Sequence, residues 1–184
     1  MASAFAIRRA AHLIRHGGII VYPTETVYGL GCDPMNYYAV TGLNQLKRRE
    51  PGKGLIILAD SLSLFEDYIE ELSEADQKKI TGASQPTSWI VRAKDSLPDW
   101  LTNKQQTLAI RITRQPVVSA LCQQLGHPIV STSANPSGKR TCRNAMEAHK
   151  YFHDKVDAIL INDRPLGGQP SVIKRLDNLT TLRK

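Results

Sequence analysis

Cysteine is scarce in this chain: Cys32, Cys122 and Cys142 stand far apart, with no C-x-x-C pair among them. That pattern excludes a disulfide framework and a cysteine-based zinc site, and it suits a reducing compartment. Aromatic residues make up only 6%, which counts against an extended stacking platform for single-stranded nucleic acid. Long apolar runs are missing as well. The longest, "LIIL" at 55–58 and "AILI" at 158–161, fall far short of the roughly 20 residues that span a bilayer. The opening "MASAFAIRRAAHLIRHGG" has no long apolar h-region before a small-residue cleavage site, so the expectation is a cytoplasmic protein without a membrane segment. Neither a GxxxxGK[ST] loop nor a GxSxG elbow occurs. No Ser–His–Asp set, Cys–His set, carboxylate pair or metal-binding group of side chains emerges. Chemistry through a covalent enzyme intermediate is therefore not expected.

What is present is a globular composition. With 184 residues and 41% hydrophobic content, residues 1–184 form one expected domain with a proper core. A net charge of +7 and a pI near 9.5 point to an anionic partner, either nucleic acid or a phosphorylated small molecule.

Periodicity and caps predict helices over 3–16, 36–49, 61–71, 73–80, 115–126 and 143–152, with Ser3, Asn36 and Ser73 as N-caps and Gly126 as a stop. Strands are expected at 19–22, 54–59, 87–93, 107–113, 128–132 and 157–162, with weak alternation in "SVIK" and "LTTLR" near the C-terminus. Interleaved strands and helices give an α/β class.

Three polar segments follow predicted strands, where open α/β sheets usually bind ligands. "YPTETVYGLG" (22–31) offers Thr24, Thr26 and Tyr28, with Gly29 and Gly31 allowing close backbone approach. "KRREPGKGL" (47–55) places Lys47, Arg49 and Lys53 around a helix end, with Lys53 between two glycines in a setting that suits a polyphosphate. "PIVSTSANPSGKRT" (128–141) is rich in hydroxyls and carries no carboxylate, which suits a nest of donors for an anion. Such a site works by positioning substrates and neutralising charge.

Taken in order, these segments resemble the YrdC-like family in its short bacterial form. "TLAIRIT" followed by "HPIVSTSANPSG", together with "GGQPSVIKRL", completes the likeness from about residue 7 onward. The resemblance implies a twisted, open, mixed sheet flanked by helices, with a basic concave cavity. It also implies a nucleotidyltransferase activity: L-threonine, bicarbonate and ATP condense to threonylcarbamoyl-adenylate, releasing pyrophosphate. A downstream transferase complex then uses the product to modify the adenosine beside the tRNA anticodon. ATP enters as substrate, with Mg2+ expected alongside it. By the same resemblance, Thr26, Arg111, Ser131 and Ser171 hold threonine. Arg49, Lys53, Thr107, Ser133, Thr141 and Arg183 hold ATP, and Lys47 adds a further cation.

The sequence also departs from the family pattern. Glu50 stands where proline often follows the arginine, and Leu58 replaces a histidine found in longer relatives. "SQPTSW" at 84–89 keeps only Pro86 and the Ser88 hydroxyl of a P-G-P-V-T segment. The alternative expectation, drawn from charge, is a double-stranded RNA or tRNA-binding module without catalysis of its own.

Overall fold

The computed structural model describes residues 2–49, 54–161, 166 and 169–183. Helix α1 (Ala4–Arg15) begins where Ser3 Oγ accepts a hydrogen bond from the Ala6 amide at 3.2 Å, and it buries Ala10, Ala11 and Ile14. Asn36 caps α2 (Tyr37–Lys47) in the same way, accepting from the Ala39 amide at 3.0 Å. Ser73 caps α3 (Glu74–Thr81), and Asn144 caps α5 (Ala145–Phe152). Between these, Pro116 opens α4 (Pro116–Leu125) and Gly126, at φ +77°, closes it. A left-handed residue after the last turn is the usual glycine stop.

Nine strands form one mixed sheet: β1 (Ile20–Pro23), β2 (Tyr28–Gly31), β3 (Ile56–Ala59), β4 (Thr87–Arg92), β5 (Thr107–Ile112), β6 (Ile129–Ser133), β7 (Ala158–Ile159), β8 (Val172–Arg175) and β9 (Thr181–Arg183). Their spatial order is β7-β1-β2-β6-β3-β5-β4-β8-β9. β3 runs parallel to β5, while β6 and β4 pair antiparallel with them, so the expected mixed α/β sheet is the observed one. α4 packs on β1 and β3, and α1 packs on α4. Leu108 and Ile110 of β5, Ile57 of β3 and Val130 of β6 belong to the central core.

Three expectations need correction. "YGLG", read as a glycine-containing loop, is strand β2, paired with both β1 and β6. Its glycines make room for Tyr22: a Cβ on Gly31 would lie 2.6 Å from Tyr22 Cε1 and 2.4 Å from the Val130 carbonyl oxygen. The helix expected at 61–71 is only a 3-10 turn at Ser63–Phe65. Phe65, Tyr68 and Ile69 are buried at helix-like spacing. Their backbone, however, bonds to the end of β4: Glu70 N donates to Arg92 O and Lys94 N to Tyr68 O, each at 3.2 Å. Tertiary pairing overrides the local pattern there. The strand expected over 157–162 is assigned only at Ala158–Ile159, and residue 162 lies outside the described ones.

Candidate functional site

Side chains alternate along a strand, so Thr107, Ala109 and Arg111 share one face of β5. They line a cavity of about 280 Å³. Ser131 and Ser133 of β6, Ile56 of β3 and Ile90 of β4 extend the same wall. Thr24 and Thr26 come from the β1–β2 loop, and Ser171 and Arg183 close the side formed by β8 and β9. The hollow therefore lies across a face of the sheet as well as at the strand ends where the sequence located it.

Local hydrogen bonds fix much of this wall. Thr24 Oγ1 donates to the Val27 carbonyl at 2.7 Å and accepts from the Thr26 and Val27 amides, a hydroxyl turn that holds the β1–β2 loop. Asn103 Nδ2 donates to Thr107 Oγ1 at 2.8 Å, while its Oδ1 accepts from the Thr107 amide at 3.1 Å. Ser171 Oγ lies 3.1 Å from Ser88 Oγ.

Three guanidiniums reach the cavity from separate elements. Arg49, just after α2, donates to the Gly54 carbonyl at 2.9 Å and to Thr132 Oγ1 at 3.4 Å. Arg183 on β9 clamps the Ser171 carbonyl with Nε and Nη2 at 3.0 and 2.8 Å. Arg111, only 4% exposed, has its Nη2 3.5 Å from Glu25 Oε2. Burial lowers the proton affinity of all three. For Arg183 the charges of Arg111 and Arg49 add to that effect, so the three share one electrostatic field. All remain cationic, because guanidinium does not deprotonate in proteins. The hollow thus combines three cations with a lining of hydroxyls, an arrangement that suits an anion.

Of the residues expected at the site, Thr26, Arg49, Thr107 and Arg111 line the cavity, as do Ser131, Ser133, Ser171 and Arg183. Lys53 lies outside the described residues. Lys47 and Thr141 are not on the described wall. The Lys47 ammonium instead ties down the segment behind Ser133. It donates to the Ser133 carbonyl, to the Asn135 carbonyl at 2.9 Å and to Asn135 Oδ1 at 3.2 Å. Burial, followed by the nearby Arg49 charge, pushes it down to about 8. Thr141 belongs to a loop stitched across β2, where Tyr28 N donates to Cys142 O and Ala134 N donates to Tyr28 O. The sequence reading missed Asn103, whereas Thr132 fell within the 128–141 segment without a role of its own. The Asn103 turn before β5 carries the usual signal of an asparagine bonding its own backbone two residues on. Among the described residues no group of three or more His, Cys, Asp or Glu could hold a metal ion.

Residues 12–184 match the model of the Sua5/YciO/YrdC family, which carries the description "Telomere recombination". The threonylcarbamoyl-AMP synthase of Pseudomonas putida strain GB-1 is 43% identical over 182 residues, covering 96% of this chain and 95% of that protein. The Pyrococcus abyssi Sua5 structure complexed with L-threonine superposes with a TM-score of 0.87 at 28% identity. That alignment covers 95% of this chain and 52% of Sua5, so the chain spans about half the length of that relative. E. coli YciO superposes with a TM-score of 0.85 at 26% identity, covering 97% of this chain and 88% of YciO. A family match over nearly the whole length, on a sheet that carries the expected motifs in order, decides the matter: the chain belongs to the Sua5/YciO/YrdC family.

Proposed function

We propose that this protein is a threonylcarbamoyl-AMP synthase, acting as a single unit over residues 1–184. The observation that carries the reading is the convergence of Arg49, Arg111 and Arg183 with Thr26, Thr107, Ser131 and Ser133 on one cavity. The name shared by relatives of nearly equal length supports it. An RNA-binding module without catalysis is not favoured, since relatives of that length carry an enzyme's name.

In this reading Arg111 pairs with the threonine carboxylate, the geometry a planar guanidinium suits. Thr26, Ser131 and Ser171 surround the rest of the amino acid. Arg49 and Arg183 face the triphosphate, with Thr107 and Ser133 as hydroxyl donors along the nucleotide. Mg2+ arrives with ATP, held by its phosphates.

The threonine amine first combines with bicarbonate, losing water, to give an N-carboxylate. A carboxylate oxygen then attacks the α-phosphorus, the bond to the β-phosphate oxygen breaks, and pyrophosphate leaves. Negative charge grows on the phosphates in that step, and guanidiniums beside them stabilise it. Lys47 acts from behind the wall, holding the backbone that presents Ser133. The product serves tRNA modification through a separate transferase.

The test is an omission series. Pyrophosphate release from ATP should require both threonine and bicarbonate. Release that ignores threonine, in a preparation that binds ATP, contradicts the assignment.

A further inference from the structure

The β1–β2 loop turns its residues to two sides. Thr24 and Thr26 line the cavity, whereas Glu25 between them lines a separate hollow with Ile112 and Arg114. From there Glu25 grips the end of β5. Its Oε1 accepts from Thr113 Oγ1 and from the Arg114 amide at 2.7 Å, and its Oε2 faces Arg111 Nη2 at 3.5 Å. Oε2 is buried and has no hydrogen-bond partner, so the Arg111 charge is what stabilises it there. Arg183 differs: its guanidinium bonds the carbonyl and hydroxyl of Ser171, and no carboxylate among the described residues lies in ion-pair range of it. Of these two cavity guanidiniums, Arg111 is thus already balanced by a carboxylate and Arg183 is not.

We infer that Glu25 is a positioning and specificity residue: it fixes the Arg111 guanidinium and offsets its charge, so Arg111 accepts one amino-acid carboxylate and leaves the phosphates to the unbalanced guanidinium of Arg183. This rests on the threonine-plus-ATP reading given above. The electrostatics agree. The Glu25 charge favours protonated Arg111 against the effect of burial, whereas Arg183 feels only burial and two like charges. An Arg111 relieved of its partner would attract a phosphate as readily as a carboxylate, because a bidentate guanidinium suits both.

The test compares Glu25→Gln with wild type in threonine-dependent pyrophosphate release, using inorganic phosphate as the probe. Glutamine keeps an oxygen for Thr113 and Arg114 but removes the charge. The variant should raise the threonine KM about tenfold, within the usual coupling range for residues in one salt-bridge network. The ATP KM should stay within about twofold, since the Arg49 and Arg183 contacts do not involve Glu25. Phosphate, which competes only with ATP in wild type, should also compete with threonine in the variant. Thr113→Val, which removes a hydrogen bond and keeps the charge, should lower Tm while leaving the phosphate pattern unchanged. Should Glu25→Gln not fold, Glu25→Asp keeps the charge on a shorter arm and should show a smaller change in the same direction.

A variant that loses only Tm, with wild-type threonine KM and phosphate pattern, overturns the inference while the synthase reading stands. A wild-type protein that neither binds threonine nor releases pyrophosphate overturns the synthase reading itself.

Discussion

At 4% exposure, Arg111 has almost no water to solvate it, and its charge depends on Glu25 and on whatever carboxylate enters the cavity. Arg111→Ala should therefore raise the threonine KM roughly a hundredfold, equivalent to about 2.7 kcal/mol. A change in Tm with no change in threonine KM would instead make Arg111 a purely structural residue. Lys47 tests a different property. Lys47→Met leaves the Ser133 and Asn135 carbonyls without their ammonium donor, at an expected cost of about 2–4 kcal/mol in unfolding free energy. The pH dependence has a definite sign. The unfolded chain holds this proton until near 10.5 and the folded one only until about 8. Between those values the unfolded state binds more protons, so the residue's contribution to stability rises with pH. Below about 8 both states are protonated and the burial penalty is fully present. The Tm difference between wild type and Lys47→Met should widen from pH 8 to 10, and a constant difference would contradict the account.

Elements with their own punctuation were legible in the sequence. α1, α2 and α4 lie within a residue or two of where Ser3, Asn36, Pro116 and Gly126 put them. β2 was not, because two glycines in four residues read as a turn, and only the Tyr22 ring packed over them explains a strand. The 61–71 segment misled for the opposite reason, with buried residues at helical spacing whose backbone pairs elsewhere. The site was legible as a set of residue types, but its placement across the sheet face depends on the register of β5, β6, β3 and β4, which no single segment encodes. Glycine substitutions make the point measurable. Gly31→Ala should cost about 3 kcal/mol through overpacking against Tyr22 and the Val130 carbonyl. Gly54→Ala meets nothing closer than Asn103 Cβ at 3.8 Å and should leave Tm nearly unchanged. Equal losses in thermal melts would show that Gly31 is not the packing constraint described here.

For the whole molecule, a net charge of +7 is given a purpose by three guanidiniums meeting in one hollow. Ligand that binds only the folded state should stabilise it. ATP at a hundred times its Kd should add about 2.7 kcal/mol and raise Tm by roughly 5–10 °C. High salt should weaken that effect by screening the phosphate contacts. Product analysis reaches the central claim more directly than any of these. Incubated with ATP, threonine and 13C-labelled bicarbonate, the protein should yield a mass-spectrometric species containing AMP, threonine and the labelled carbon, together with pyrophosphate. A threonine–AMP product lacking the label, or nucleotide hydrolysis alone, would contradict the account.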